Sequence, residues 1–247
     1  MELRKYGCVP DVKDPIRDLP YKMSGKVLPP MSDLRPKMPP VYAQLALGSC
    51  VSNGVGAAIE YNFHIMNHPD FMPSRLFIYF NGRVVEHTVK SDSGLQIRDG
   101  IKVVAKYGVC PESMWGYDIK KFTSKPLDMC YAAAAKDVVT RYKRLTSLTQ
   151  YKDAIASGYP VIFGFSVYES FESDAVAKTG IVPMPKPGEQ LMGGHCVLAV
   201  GYNDHTQRVI VRNSWGNSWG IKGYCEMPYE YFNSDLVSDC WTIFYVE

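Results

Sequence analysis

The sequence predicts an α+β protein in which a helical lobe faces an antiparallel, barrel-like β lobe. In the first half of the chain, apolar residues recur at helical spacing, most clearly in the stretch that follows Cys50. In the second half, short apolar runs alternate with turn residues, which is typical of strands. A chain of 247 residues can build two such lobes. A cleft between them is the expected place for a functional site.

The first part of the chain, residues 1–32, is predicted to be an extended N-terminal segment rather than a domain, and is called the arm below. Prolines interrupt it repeatedly, and no helical or strand period is sustained. The folded domain is then expected to span residues 33–247. Within it, we expect the helical lobe at about 41–140 and the β lobe at about 141–247.

Cys50 is predicted to lie in the first turn of the central helix. Ser49 is a suitable N-cap residue, and Val51, Val55 and Ile59 continue one apolar face. Unpaired N–H groups and the positive end of the helix dipole favour a thiolate at this position. Cys50 is therefore a candidate nucleophile, whereas an isolated cysteine is more often a small buried hydrophobic residue.

Further elements follow from the same patterns. We expect helices at 73–80, at 97–107 with Gly108 as terminator, at the alanine-rich stretch 131–142, and at 148–157. Strands are expected at 161–165, 196–200, 208–212 and 241–246. This order places the helices first and most of the sheet last.

Two polar residues lie next to the predicted strands of the β half. His195 precedes the strand at 196–200, behind the flexible pair Gly193 and Gly194, and Asn213 follows the strand at 208–212. Neighbouring strand ends would bring the two side chains together. A cysteine nucleophile needs a base and a group that orients this base, and His195 and Asn213 are candidates for these roles.

Composition excludes several classes of function. The net charge of +2 and the absence of a basic, aromatic-rich block argue against nucleic-acid binding, and no apolar run predicts a signal peptide or a membrane span. The seven scattered cysteines predict neither a disulfide framework nor a zinc site and indicate a reducing, intracellular setting. Cys196 and His195 would point to opposite faces of a strand, so we expect no metal shared between them.

Three segments together resemble those of the papain-like cysteine proteases. Gln44 stands six residues before Cys50, with Gly48 and Ser49 in place. The histidine segment and then Asn-Ser-Trp-Gly-x-x-Trp-Gly-x-x-Gly-Tyr from Asn213 follow in the family's order, about 145 and 163 residues after the cysteine. The chain is thus identified as a member of this family, of a non-secreted microbial or viral type without the long propeptide.

The resemblance implies a role for each matching residue in hydrolysis of peptide or protein substrates, without a cofactor or metal. Cys50 would be the nucleophile, His195 the base, and Asn213 the residue that orients the imidazole. The Gln44 side chain and the Cys50 backbone N–H would form the oxyanion hole. The residues implied at the substrate are Ser93 and Gly94 in the glycine loop, Gly194 beside the scissile bond, and Trp215 over the histidine.

Departures from the family leave alternatives open. Leu47 and Ser91 stand where secreted members carry a disulfide, and the arm is too short to act like their propeptide. We expect the arm either to cross the cleft and limit access or to be a packing strap on the β lobe. The same triad would also serve an exopeptidase or a deubiquitinase-like hydrolase, and the fold alone would serve a catalytically silent binding protein. An apolar specificity pocket is expected near Phe165 and Val167.

Overall fold

The computed structural model describes residues 5–12, 14, 18–67 and 71–246 and confirms the α+β architecture. The first part of the chain contributes β1 (Cys8–Val9), β2 (Met31–Asp33), α1 (Cys50–Ile65), α2 (Arg75–Val85), β3 (Leu95–Gln96), α3 (Ile97–Tyr107) and α4 (Asp128–Ala134). The second part contributes β4 (Val139–Leu145), α5 (Leu148–Ala156), β5 (Val161–Tyr168), α6 (Asp174–Thr179), β6 (Leu191–Asn203), β7 (Arg208–Arg212), β8 (Tyr224–Pro228), α7 (Tyr229–Phe232) and β9 (Val237–Val246).

The β lobe is built on one antiparallel sheet. Its strands lie in the order β4, β9, β5, β6, β7, β8, and β2 of the arm pairs with β6. The long central strand β6 pairs with β5 on one side and with β7 on the other. This pairing holds the histidine segment and the asparagine segment next to each other.

Helix α1 lies between the two lobes, and its sequence is suited to this position. Fourteen of its sixteen residues are buried, so the helix packs on nearly all sides. Gly54 lies against the sheet, where an added Cβ would be 3.1 Å from the Cys196 Sγ atom, and Gly56 lies against the Arg75 side chain. The two glycines therefore let α1 pack closely on its neighbours, and an added Cβ at Gly54 would require the Cys196 side chain to move.

Several sequence expectations differ from the structure. The sequence predicts that His195 precedes its strand, whereas it lies inside β6 together with Gly193 and Gly194. The stretch predicted as one helix over 131–142 divides into the short α4 and the edge strand β4. Strand β4 forms because residues 139–145 pair with β9, and tertiary pairing of this kind overrides a local preference. Ser49 stands at the N-cap position of α1, but its hydroxyl makes no cap hydrogen bond. It contacts the Tyr117 hydroxyl at 2.5 Å instead.

The arm follows the surface of both lobes. Its residues 19–21 exchange backbone hydrogen bonds with Arg144 of β4, and Met31–Asp33 extends the sheet beside β6. Nearer the N-terminus, Cys8–Val9 pairs in parallel with Leu95–Gln96 of the helical lobe. The arm thus straps the β lobe with its later part and reaches the space between the lobes with its earlier part.

Candidate active site

Cys50 is the first residue of α1 and is fully buried beneath the arm. Burial, together with the neighbouring Cys8 thiol, raises the pKa of the Cys50 thiol to about 12. Hydrogen bonds from the backbone amides of Cys196, Gly7 and Val51 act in the opposite direction. The helix start therefore favours a thiolate, but in this state of the molecule desolvation outweighs that effect.

His195 and Asn213 meet across the neighbouring strands β6 and β7. The imidazole Nε2 atom lies 2.8 Å from the Asn213 Oδ1 atom, and both side chains are buried. Oδ1 also accepts the Ser214 backbone N–H at 2.8 Å, which fixes the orientation of the amide. Because Oδ1 can only accept, Nε2 must donate, and the basic nitrogen of the neutral ring is Nδ1.

Gln44 is oriented by a serine that sequence reasoning did not single out. The Ser214 hydroxyl donates to Gln44 Oε1 at 2.7 Å, so the amide nitrogen Nε2 is left to donate elsewhere. Nε2 lies 3.0 Å from the Leu47 carbonyl oxygen and 3.2 Å from the carbonyl oxygen of Lys5 in the arm. The Gln44 amide is therefore a positioned donor beside the nucleophile helix and already contacts a peptide carbonyl.

Aromatic rings enclose the histidine. Trp215 stacks on the His195 imidazole with ring centroids 4.9 Å apart, and Tyr6 of the arm meets the same imidazole edge-on at 5.9 Å. Phe171 and Trp219 pack in turn on Trp215. This enclosure keeps water from the hydrogen bond between the imidazole and Asn213, so that the bond acts at a low local dielectric.

The structure brings together the glycines expected near substrate, but the arm occupies their surface. The Gly7 carbonyl accepts the Leu95 N–H at 2.8 Å, one residue beyond Gly94. An added Cβ would lie 2.3 Å from the Gly7 oxygen at Gly94 and 2.4 Å from the Cys8 oxygen at Gly194. Ser93 is exposed, and its hydroxyl contacts Thr88 rather than the arm.

The specificity pocket expected near Phe165 and Val167 is misplaced. Both side chains are buried in the β lobe, and the Phe165 ring packs on Phe171 and His195. The preceding residue, Gly164, faces the arm, since an added Cβ there would lie 3.0 Å from the Cys8 Sγ atom. Successive strand residues point to opposite faces, so the expectation chose the wrong face of β5.

A buried carboxylate anchors the arm next to the cleft. Asp11 accepts the Trp241 indole N–H at 2.8 Å and the Arg98 backbone N–H at 3.0 Å, while its own N–H donates to Asp239. Burial and the nearby Asp239 carboxylate raise the pKa of Asp11 to about 6, although the hydrogen bonds and Arg144 oppose the shift. The anchor thus combines good hydrogen bonds with a costly buried charge.

A second carboxylate that sequence reasoning missed ties the nucleophile loop to the glycine loop. Asp92 accepts the Gly48 N–H at 3.0 Å and the Tyr79 hydroxyl at 2.5 Å. The buried Arg83 holds the same loop through the carbonyls of Val89 and Ser91. These contacts join the loop that contains Leu47 to the loop that contains Ser91. Asp92 directly precedes the predicted Ser93-Gly94 loop, but its partners Gly48 and Tyr79 could not be predicted from the sequence.

No group of three or more His, Cys, Asp or Glu side chains suited to a metal occurs among the residues that the structure covers. All seven cysteines are free thiols. In the described ranges, none of the helices is both long and apolar enough to cross a bilayer.

Comparison with known proteins identifies a family. The sequence profile described as papain family cysteine protease matches residues 28–240. A peptidase C1-like protein of Acanthamoeba polyphaga mimivirus is 43% identical over 241 residues, which cover 91% of this chain and 78% of that protein. The microbial or viral type expected from the sequence agrees with this relative.

Solved structures give the same result. The crystal structure of xylellain, a cysteine protease from Xylella fastidiosa, superposes with a TM-score of 0.92 at 41% identity and covers 100% of this chain and 98% of that one. Procathepsin L 3 of Tenebrio molitor superposes with a TM-score of 0.74 at 19% identity, covering 98% of this chain and 75% of that one, and shares the fold.

Proposed function

Since the chain belongs to the papain family of cysteine proteases, we propose that it hydrolyses peptide bonds through a thioester acyl-enzyme formed on Cys50. His195 Nδ1 takes the thiol proton and later protonates the leaving amine. Asn213 keeps the imidazole in the required tautomer and orientation. The observation that carries this proposal is the 2.8 Å hydrogen bond between His195 Nε2 and Asn213 Oδ1, because it assigns Nδ1 as the basic nitrogen.

The oxyanion would be stabilised by the Gln44 amide and the Cys50 backbone N–H. The contact between Gln44 Nε2 and the Lys5 carbonyl oxygen supports this role, since a peptide carbonyl already lies 3.2 Å from the donor. One such donor contributes roughly 3 kcal/mol to transition-state stabilisation in related acyl-transfer chemistry. Ser214 acts through Gln44 by fixing which end of the amide faces the cleft.

We also propose that the arm keeps the protease latent. It covers Cys50, packs Tyr6 on the imidazole and contacts the Gln44 donor. A substrate requires the arm to leave first.

The test of the triad is the pH dependence of Cys50 alkylation by iodoacetamide under reducing conditions. It is measured in a Gly7→Ala background, which we expect to displace the arm because the added Cβ would lie 1.8 Å from the Gly48 carbonyl oxygen. We expect rapid labelling of Cys50 well below pH 8, because imidazolium stabilises the thiolate. With His195→Ala added, labelling should rise only near the pKa of a free thiol, about 8.5. Mass spectrometry assigns the labelled residue, and Cys225→Ala serves as the matched control at a buried thiol remote from the histidine.

If Cys50 labels identically with and without His195, the thiolate–imidazolium pair does not exist, and the catalytically silent binding protein becomes the better description. Hydrolysis assays then separate the remaining enzymatic alternatives. Cleavage within long peptides supports an endopeptidase, release of terminal residues supports an exopeptidase, and cleavage confined to ubiquitin conjugates supports the deubiquitinase-like hydrolase.

The Asp11 anchor predicts that latency is strongest at acid pH. The pKa of Asp11 is about 6 with the arm docked and 3.8 as the ordinary value, so docking takes up a proton. The contribution of protonated Asp11 to the stability of the docked arm is complete below about pH 4 and is lost as the pH rises through about 6. The docking equilibrium should weaken by up to roughly a hundredfold across this window.

The measurement is the ratio of peptide turnover by Gly7→Ala to turnover by the wild type at each pH, since the intrinsic pH dependence of catalysis cancels in it. We expect the ratio to fall as the pH rises from 4 to 7 in these assays. The isosteric change Asp11→Asn should flatten this dependence. A ratio that increases with pH would contradict the assigned direction.

A further inference from the structure

One residue of the arm contacts both the candidate oxyanion donor and an acidic side chain of the cleft. The carbonyl oxygen of Lys5 lies 3.2 Å from Gln44 Nε2. The Nζ atom of the same lysine lies 2.9 Å from the Asp92 Oδ2 atom. A single lysine therefore spans the distance between the place expected for a scissile carbonyl and the Asp92 carboxylate.

Asp92 is a largely buried residue held in place beside the cleft. Its side chain is 10% exposed, whereas that of Lys5 is 47% exposed. The Gly48 N–H and the Tyr79 hydroxyl hold its carboxylate in place. Gly48 lies two residues before Cys50 in the sequence, so the acid is attached directly to the nucleophile loop.

The carboxylate is ionised and suited to a cation. Burial alone would raise the pKa of Asp92, but the hydrogen bonds that it accepts, first from Tyr79 and then from Lys5, hold the pKa below its usual value. Among the ion pairs of the described residues, Asp92 takes part only in the one with Lys5. When the arm leaves the cleft, this carboxylate retains its neutral donors and loses its cation.

We propose that Asp92 is a specificity-determining residue that selects lysine or arginine as the substrate residue whose carbonyl is attacked by Cys50. This inference rests on the proposed function of the cleft as a peptidase site. A substrate carbonyl at Gln44 would put a long basic side chain within reach of Asp92, as Lys5 does. Charge-assisted hydrogen bonds to a fixed, partly desolvated carboxylate discriminate well against neutral side chains, and arginine can pair with both oxygens.

The test uses two peptidyl acyloxymethyl ketones that alkylate Cys50 and differ only in the residue next to the reactive ketone, lysine in one and norleucine in the other. Norleucine retains the aliphatic chain without the ammonium group. Labelling rates are measured on the full-length protein and on full-length Gly7→Ala. Both probes require the same opening of the arm, so its contribution cancels in the ratio of the two rates.

We expect the lysine probe to label at least about tenfold faster than the norleucine probe, a difference of about 1.4 kcal/mol. The isosteric change Asp92→Asn should reduce this ratio to about one to three. The matched control is Asp128→Asn, because Asp128 is a fully exposed acid at the start of α4 whose ion pair, among the described residues, is with the exposed Lys125. It should leave both rates and their ratio unchanged.

The outcomes separate this inference from the proposed function. Failure of both probes to label Cys50 in a folded Gly7→Ala protein would contradict the peptidase site itself. Labelling with a ratio near one in the wild-type sequence would overturn only the basic preference, whether or not Asp92→Asn folds. A high ratio that survives Asp92→Asn, with both rates changed equally, would mean that Asp92 is merely a latch for the arm.

Discussion

Replacing Cys50 by serine is expected to reduce kcat/KM for peptide hydrolysis at least about ten-thousandfold, to the background of the assay. A serine hydroxyl has no accessible ionised form near neutral pH, so His195 cannot hold it as an ion pair in the way that it holds a thiolate. Losses of this size are typical when the nucleophile of a triad is removed. Turnover of a fluorogenic peptide by the purified variant measures the effect.

The control for Cys50→Ser is again Cys225→Ala, which removes a buried thiol from β8 and leaves the cleft untouched. It should retain wild-type turnover. The unfolding midpoint in urea shows whether each variant is folded. Residual turnover of Cys50→Ser above one per cent of wild type, in a folded protein, would assign the hydrolysis to another nucleophile.

Substitution of Gly7 by alanine is expected to release the arm from the cleft and to increase peptide turnover by at least about tenfold. An added Cβ at this position would lie 1.8 Å from the Gly48 carbonyl oxygen, a backbone atom that cannot move away without distorting the nucleophile loop. The body of the protein is unchanged by the substitution, so the steric conflict is relieved most easily by release of the arm. Apparent affinity then increases in proportion to the open fraction.

The matched control in the arm is Val27→Ala, since Val27 is 97% exposed. It should turn over peptide at the wild-type rate. The larger change Gly7→Val should behave like Gly7→Ala and provides a second measurement. Unchanged turnover in both glycine variants would mean that the arm does not limit access, and the strap on the β lobe would then be its whole role.

In the mechanism that we propose, latency and specificity are connected, because the arm uses contacts that a substrate would need. The Lys5 carbonyl contacts the oxyanion donor, the Lys5 ammonium group neutralises Asp92, and Tyr6 covers the imidazole. Each contact stabilises the docked arm and at the same time blocks one element of catalysis. A basic substrate therefore competes with Lys5 for Asp92, whereas a neutral substrate competes only for the backbone contacts.

The longer helices and the central strands of the fold could be predicted from local patterns. Helix α1 begins at Cys50 as expected, Gly108 ends α3, and strand β7 has the predicted bounds 208–212. These three predictions were correct because each depends on a local period or on a terminating residue within a few positions of the element. The helix predicted over the alanine-rich stretch 131–142 was wrong at β4, because pairing with β9 decides the conformation there. Strands β1 and β2 could not be predicted, because their hydrogen bonds go to residues 87 and about 170 positions away.

The residues of the candidate site also fall into two groups, those predictable from local motifs and those defined only by tertiary contacts. The sequence by itself determined which residues meet at the cleft, since Gln44, Cys50, His195 and Asn213 stand in motifs whose order and spacing are specific. Ser214, Asp92 and the residues 5–8 of the arm acquire their roles only through partners distant in sequence, such as Gln44 Oε1 and the Gly48 N–H. Side-chain orientation and the path of the arm depend on the packed lobes, which a local pattern does not encode. Tertiary structure alone therefore decided that Cys50 is covered and that Lys5 forms an ion pair with Asp92 in the same cleft.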